Sequence, residues 1–131
     1  MKVIDVLKMH KTEREVECPK GGFTSLRMLL KEDGMGFGMT RTTIHKTDEF
    51  QLWHYKNHFE ACYCIKGRAI LKDATGHEWE IKPGVMYALD KHDKHYFKAS
   101  EPTILICVFN PPLIGKEVHG ADGSYSKESK K

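Results

Sequence analysis

The sequence predicts an all-β protein, a double-sheet jelly roll with few short helices. Strand-like runs rich in β-branched and aromatic residues are divided by turn signals about every 8 to 12 residues, a spacing typical of sandwiches and barrels. No long stretch shows the apolar period of a helix. The chain has 131 residues, a length that favours one domain. We expect this domain to span 1–125 and a disordered polar tail to span 126–131.

The elements follow in order along the chain. It starts with VIDVLKMHKT, which suits either a short strand or a helical turn. Next come the apolar run SLRMLL and the strand GFGMTRTTI, on either side of the glycine turn EDGMG. In that strand, Thr40, Thr42 and Ile44 share one face because strand side chains alternate. After several short strands divided by KG, DATG and KPG, a final apolar strand, TILICVFNPP at 103–112, ends in two prolines.

Composition excludes several classes of function. Apolar content of 40%, charged content of 30% and a net charge of +3 are ordinary for a globular protein. No basic run is interleaved with aromatic residues, so we expect no nucleic-acid partner. No apolar run approaches the ~18 residues of a membrane span, and the start is too polar for a signal peptide. The expected location is the cytoplasm, with a small molecule as the partner.

The four cysteines, Cys18, Cys62, Cys64 and Cys107, form no CxxC pair. Cys62 and Cys64 lie two apart in an apolar run, so on a strand they share a face. Neighbouring positions on one face make a mutual disulfide poor in geometry. We expect Cys18, Cys62 and Cys64 to be small buried thiols in a reducing compartment.

The segment HYKNHFEACYCIKG resembles the first signature of the cupins: HxH, three or four residues, Glu, six residues and Gly. Glu60 and Gly67 fit that spacing, and His54 fits the first histidine. Lys56 stands where the second histidine is expected. His58, two residues before Glu60, remains an alternative ligand because it can share the same face.

The second cupin signature is present in altered form. In GHEWEIKPGVMY, Pro83 and Gly84 supply the turn, and Tyr87 stands where a histidine is expected. The two signatures together favour the cupin scaffold, but its usual set of metal ligands is missing.

The stretch YALDKHDKHY suggests where other ligands lie. A hairpin turning around 90–93 would set Tyr87 opposite His95, with Cβ atoms about 5 Å apart, and His92 in the solvated turn. With Glu60, these two side chains would form an N/O site suited to Fe(II), Mn(II) or Zn(II). Spacing leaves open the alternative that Tyr87 and His95 are half-buried strand residues bonded to each other.

Four segments, LRMLLKEDGMGF, HYKNHFEA, KPGVMYALDKHDKHY and CVFNPPLIGKEVH, together resemble the ectoine synthase family. The resemblance covers about residues 11–125. It implies a cupin fold, a homodimer, and closure of N-γ-acetyl-L-2,4-diaminobutyrate to the compatible solute L-ectoine with loss of water. It also implies Fe²⁺ as cofactor, other divalent transition metals being possible.

The resemblance carries over site residues by matching motif positions. As metal ligands it implies Glu60, Tyr87 and His95. As substrate-binding residues we take Phe23, Arg27, Thr42, Cys107 and Phe109. As catalytic residues we take Tyr55, Glu117 and His119.

The proposed reaction assigns a role to several of these side chains. A planar guanidinium can grip the substrate carboxylate with two hydrogen bonds, which suits Arg27. The α-amine must lose a proton before it attacks, and Glu117 or His119 is the expected base. Tyr55 is the expected proton relay or acid. Aromatic faces suit a delocalised amidinium product.

The chain departs from the family around the product-contacting region. Phe23 stands where the family usually has tryptophan, GMT precedes the threonine pair, and the segment near 45–53 is one residue longer. Two alternatives therefore remain: a related metal-dependent cupin enzyme acting on another small amine or amide, and a non-catalytic cupin that binds a small ligand.

Overall fold

The protein, as a computed structural model, is described over residues 1–19, 21–115 and 117. Within these residues the chain forms eight strands and two short 3₁₀ helices, which confirms the all-β prediction. The strands are β1 (Glu15–Glu17), β2 (Phe23–Leu29), β3 (Gly38–Ile44), β4 (Gln51–Trp53), β5 (Phe59–Asp73), β6 (Glu78–Ile81), β7 (Met86–Leu89) and β8 (His95–Asn110). The 3₁₀ helices are Val6–Met9 and Lys31–Asp33.

The first 3₁₀ helix decides between the two interpretations of the opening segment in favour of a helical turn. In the part of the chain that the structure describes, no helix is long and apolar enough to cross a membrane. The expected tail, 126–131, lies outside the described residues, and the domain bounds 1–125 stay a prediction.

Two long antiparallel strands, β5 and β8, organise the sheet. They pair from Phe59 opposite Asn110 to Asp73 opposite His95. The C-terminal half of β8 also pairs with β3, and its first residues pair with β4. In the same way β5 pairs with β7 near its start and with β6 near its end. Each long strand therefore belongs to both halves of the barrel, as a double-sheet jelly roll requires.

The ladder between β5 and β8 is interrupted at its centre. Register shifts occur between Cys64 and Ala69, and Gly67 within this stretch has φ +101°. A side chain at Gly67 would meet Pro102 O and would lie 2.5 Å from Thr103 Cα. Glycine is therefore required here both by the backbone conformation and by the close approach of β8.

Gly67→Ala is expected to destabilise the fold by about 3 kcal/mol, because left-handed backbone strain adds to overlap with a neighbouring backbone. Gly76→Ala is the matched control, since Gly76 has φ +93° but nothing within 4 Å of the added methyl group. The control should cost only about 1 kcal/mol. Urea unfolding of both variants measures the difference, and equal losses would contradict the steric explanation.

The inward faces of the strands form one core. On β3, buried positions alternate with half-buried ones, and Thr40, Thr42 and Ile44 point inward, which confirms the face expected from the sequence. Cys62 and Cys64 on β5 are also buried. All four cysteines are free thiols; of the three expected to be buried, Cys62 and Cys64 are, whereas Cys18 is half-buried. The core therefore contains hydroxyls and thiols among its aromatic side chains.

A half-buried ion pair connects the segment before β1 to the second 3₁₀ helix. Arg14 Nη1 lies 3.0 Å from Asp33 Oδ2, and the backbone N–H of Leu30 donates to the same carboxylate at 2.8 Å. The hydrogen bond from Arg14, followed by that from Leu30, lowers the pKa of Asp33 from 3.8 to about 2. Asp33 therefore stabilises the fold only while it is ionised.

Because the pKa of Asp33 is lower in the folded than in the unfolded chain, its contribution is complete above about pH 4 and is lost as pH falls towards about 2. Asp33→Asn should therefore flatten the decline of unfolding free energy over that window. Denaturant titrations at several pH values measure the free energy of unfolding of this variant. Asp48→Asn, at an exposed position, is the control. If the unfolding free energy of Asp33→Asn falls with pH as steeply as that of the unchanged protein, Asp33 is not the group responsible for the decline.

Candidate metal centre and substrate cavity

Three strands place a polar cluster inside the barrel. On β5, Glu60 and Cys62 both point inward because they are two residues apart. Tyr87 on β7 lies opposite Cys62 on one side, and Cys107 on β8 lies opposite it on the other. Cys62 is thus held between two strands that carry candidate site residues.

Three donors form what we call the Glu–Cys–Cys cluster: Glu60, Cys62 and Cys107. Their ligand atoms all lie within 4.8 Å of one another, and the Cys62 thiol donates to Cys107 Sγ at 3.5 Å. Burial raises the pKa of Glu60 to about 7, although hydrogen bonds from the two thiols lower it. A carboxylate buried in this way is stabilised by a proton or by a bound cation.

Tyr87 brings a phenol to the same place. The residue is half-buried, and its hydroxyl lies beside Cys62 and Glu60. Burial, then the charges of these neighbours, raises the pKa of Tyr87 well above its ordinary value. The phenol is therefore neutral unless a cation binds next to it.

His95, the first residue of β8, is buried and has a ring nitrogen that can act as a ligand. Its Nδ1–H donates to the carbonyl of Asp93 at 3.0 Å, which leaves the lone pair on Nε2. Nε2 is buried and has no hydrogen-bond partner within the described residues. Burial lowers the pKa of His95 to about 4. A neutral imidazole with an oriented, unused nitrogen fits a metal.

The predicted hairpin between Tyr87 and His95 is wrong. β7 pairs with β5, and His95 lies opposite Trp53 and Asp73 instead. The two rings nevertheless approach to 6.4 Å between centroids, because both point into the barrel. They do not bond each other either, since His95 Nδ1 is bound to Asp93 and its Nε2 has no partner in the described chain.

A narrow cavity connects most of the candidate side chains. Seven of the candidate side chains line it: Phe23, Thr42, Tyr55, Glu60, Tyr87, Cys107 and Phe109. Its volume of ≈ 20 Å³ is about that of one water molecule or ion. Seven residues selected from the sequence thus face one cavity, which in this conformation is closed to a molecule of substrate size.

Arg27 is fully buried on β2 and bound to the segment that follows β8. Its Nε donates to Ser25 Oγ and its Nη2 donates to the carbonyl of Glu117, both at 3.0 Å. The Glu117 carboxylate lies 3.5 Å from Nη1 and accepts the N–H groups of Ile114 and Gly115. Glu117 therefore binds the guanidinium of Arg27, the group that we expect from the sequence to bind the substrate carboxylate.

A chain of buried hydroxyls links this ion pair to the cavity. Ser25 Oγ accepts from Thr42 at 3.1 Å, and Thr42 lies 3.0 Å from Thr40. Thr40 is opposite Cys107 on the next strand. Ser25 and Thr40 are not among the site residues that the sequence predicts, although the shared face of Thr40 and Thr42 is visible in the sequence.

Two other histidines contact residues that line the cavity, Tyr55 and Phe109. His92 lies in the turn, as expected, but it is half-buried: its Nδ1 bonds the Tyr55 carbonyl at 2.9 Å and its ring stacks on Phe59. His58 is buried with its ring 6.2 Å from that of Phe109, and it is not a member of the Glu–Cys–Cys cluster. His119 lies outside the described residues.

The bent double sheet and the inward polar cluster define a cupin-type enzyme. A profile of the ectoine synthase family matches residues 1–129. The L-ectoine synthase of Marinomonas sp. (strain MWYL1) is 49% identical over 122 residues, 92% of this chain and 94% of that protein. That of Hyphomonas neptunium is 49% identical over 132 residues, 98% and 96% of the two chains. The chain belongs to the ectoine synthase family, whose members are hydro-lyases.

Solved structures agree with this membership. The crystal structure of ectoine synthase from P. lautus superposes with a TM-score of 0.82 at 42% identity, covering 88% of this chain and 81% of that chain. An RmlC-like cupin from Shewanella frigidimarina, at 18% identity and a TM-score of 0.59 over 75% and 84% of the two chains, shares the fold. The cupin fold predicted from the sequence is confirmed.

Proposed function

We propose that this enzyme closes N-γ-acetyl-L-2,4-diaminobutyrate to L-ectoine with loss of water. The observation that carries the proposal is one cavity on which candidate residues from five strands and one loop converge. Membership of the ectoine synthase family supports the same reaction. The product would serve as a compatible solute.

Glu60, Tyr87 and His95 would hold Fe²⁺, or another divalent transition metal, in this proposal. The unused Nε2 of His95 and the buried Glu60 carboxylate support the fit, because N and O donors suit such ions. When bound, the ion supplies Lewis acidity towards the acetyl carbonyl.

The aromatic side chains would orient the substrate and exclude water. Phe23 and Phe109 line the same cavity as Glu60, and their ring faces suit the delocalised positive charge of the amidinium product. Tyr55, which lines the same cavity, would carry a proton to the departing water. Substrate entry requires these rings to separate, since the cavity is closed without it.

Arg27 would change partners when the substrate binds. Its guanidinium holds Glu117 in the free enzyme, and a substrate carboxylate can take that place with equal charge and similar geometry. The exchange frees the Glu117 carboxylate to accept a proton from the α-ammonium group. His119 remains the other candidate for this base.

The decisive experiment is anaerobic incubation of the Fe²⁺-loaded protein with N-γ-acetyl-L-2,4-diaminobutyrate, with L-ectoine measured by chromatography. Formation of ectoine supports the proposal. If no ectoine forms although iron is bound and the fold is intact, the proposal fails. A non-catalytic binding cupin would instead bind the substrate without any turnover, and Glu60→Ala would alter only its affinity.

A related enzyme for another small amine or amide is the second candidate. Phe23 favours it, because this residue lines the cavity at the position where tryptophan is usual. Assaying shorter and longer N-acetyl diamino acids in parallel separates the two candidates by their kcat/KM values.

We also propose that the enzyme is a homodimer. Apolar side chains on the outer face of β5 and β8 support this, since Phe59, Tyr63, Ile65 and Val108 are each 37% to 48% exposed. Neighbouring exposed apolar residues of this kind are typical of an interface. Light scattering coupled to gel filtration measures the mass, and a monomer at all concentrations would contradict the proposal.

A further inference from the structure

Beyond the reaction, the Glu–Cys–Cys cluster constitutes a second set of metal donors. We propose that Glu60, Cys62 and Cys107 bind a thiophilic divalent ion such as Zn²⁺ or Cd²⁺, in competition with an ion held by Glu60, Tyr87 and His95. Both sets need the Glu60 carboxylate, so only one can be filled at a time. This inference is independent of the substrate and of the proposed reaction.

The sulfur–sulfur distance carries the proposal. A tetrahedral zinc ion with Zn–S bonds of about 2.3 Å holds two thiolates about 3.8 Å apart. Cys62 Sγ and Cys107 Sγ are already 3.5 Å apart, so an ion requires only a small change. A Glu60 carboxylate oxygen lies within 4.8 Å of both sulfurs, which is within reach of a third ligand position.

The pairing of β5 with β8 holds the two cysteines close together before any ion binds. Cys62 and Cys107 lie directly opposite each other on β5 and β8, and both are almost completely buried. Their separation is therefore set by two packed backbones rather than by flexible loops. Donors held in place by rigid strands lose little freedom when an ion binds, which favours affinity.

Binding of a divalent ion to these donors needs no oxidant or reductant. One divalent ion replaces the two thiol protons, so two S–H bonds break, two S–metal bonds form, and two protons leave to solvent. The ion's two positive charges offset two of the three negative charges on the two thiolates and the carboxylate. The adjoining cavity has room for a water molecule as a fourth ligand.

The two donor sets select different ions. Thiolates prefer zinc and softer ions such as cadmium, whereas the phenol, imidazole and carboxylate of the other set suit iron and manganese as well as zinc. Thiophilic ions should therefore displace the iron-type ion from Glu60. The sequence alone could not indicate this, because Cys62 and Cys107 are 45 residues apart.

Cadmium titration of the reduced, metal-free protein tests the proposal directly. Cadmium–thiolate bonds give an ultraviolet charge-transfer band, and we expect it to saturate at one ion per chain. Cys62→Ala and Cys107→Ala should abolish the band and weaken cadmium binding by more than about tenfold. Cys64→Ala is the matched control: Cys64 is buried on the same face, but its thiol bonds the Lys66 carbonyl, so the band should persist.

Two further variants separate the donor sets. His95→Ala and Tyr87→Phe should keep the cadmium band, since neither side chain belongs to the Glu–Cys–Cys cluster. Circular dichroism and thermal melting establish that each variant is folded, and Cys62→Val replaces Cys62→Ala if the latter unfolds. A band that persists in the folded Cys62 and Cys107 variants, or that disappears in His95→Ala, would overturn the proposal.

Discussion

Glu60→Ala is expected to remove bound iron and to lower turnover by roughly 10³-fold. The carboxylate is one of three proposed ligands, and a Lewis acid contributes several kcal/mol to carbonyl activation, at about 1.36 kcal/mol per tenfold in rate. No nearby carboxylate replaces it among the residues that line the cavity. Colorimetric iron analysis and single-turnover kinetics measure both effects on the same preparation.

Two nearby side chains, Tyr87 on β7 and His92 in the turn that follows it, test which of them binds the iron. Tyr87→Phe should lower iron occupancy strongly, because the phenol oxygen points towards Glu60 and Cys62. His92→Ala should leave iron occupancy nearly unchanged, since His92 bonds a backbone carbonyl and stacks on Phe59. If both variants lose iron to the same degree, the assignment of Tyr87 as a ligand is wrong.

Arg27→Met is expected to reduce the free energy of unfolding by about 3 to 5 kcal/mol. The substitution leaves the Glu117 carboxylate buried without its cationic partner, and breaking a buried ion pair from one side costs about this much. Methionine keeps most of the side-chain volume, so lost packing contributes little. Equilibrium unfolding in urea measures the change.

A double-mutant cycle measures the interaction free energy between Arg27 and Glu117. Arg27→Met with Glu117→Gln should recover part of the lost stability, because no uncompensated carboxylate remains. The stabilised double variant should still lack turnover, since both proposed substrate contacts are gone. Arg41→Met, on the outward face of the neighbouring strand, is the control and should cost about 0.5 kcal/mol. A loss for Arg27→Met as small as that of the control would contradict the buried pair.

Local patterns in the sequence were sufficient to predict the fold. The alternation of Thr40, Thr42 and Ile44 identified the inward face of β3, because the two-residue period of a strand is a local property. The turn glycines marked the ends of strands for the same reason. The resemblance to a family implies six of the seven candidate residues that the structure places around one cavity, and Phe23, where the chain departs from the family, is the seventh.

Pairing between distant strands was beyond such patterns. The equal spacing of Tyr87 and His95 about a turn predicted a hairpin, but β7 prefers the edge of β5. Local symmetry gives no information on which remote strand is available to pair. For a similar reason the sequence predicts only a packing role for Cys62, since its contact with Cys107 depends on the register of β5 against β8.

The central ladder of β5 and β8 also bears on how the chain folds. These strands form the largest set of contacts between elements, yet Cys62 and Cys107 are 45 residues apart in sequence. The chain must lose the entropy of closing this long loop before the two strands can pair. For this reason all-β proteins fold slowly, typically in milliseconds to seconds. The donors on β5, β7 and β8 meet only after this step. Metal ions should therefore slow unfolding while leaving the rate of folding nearly unchanged.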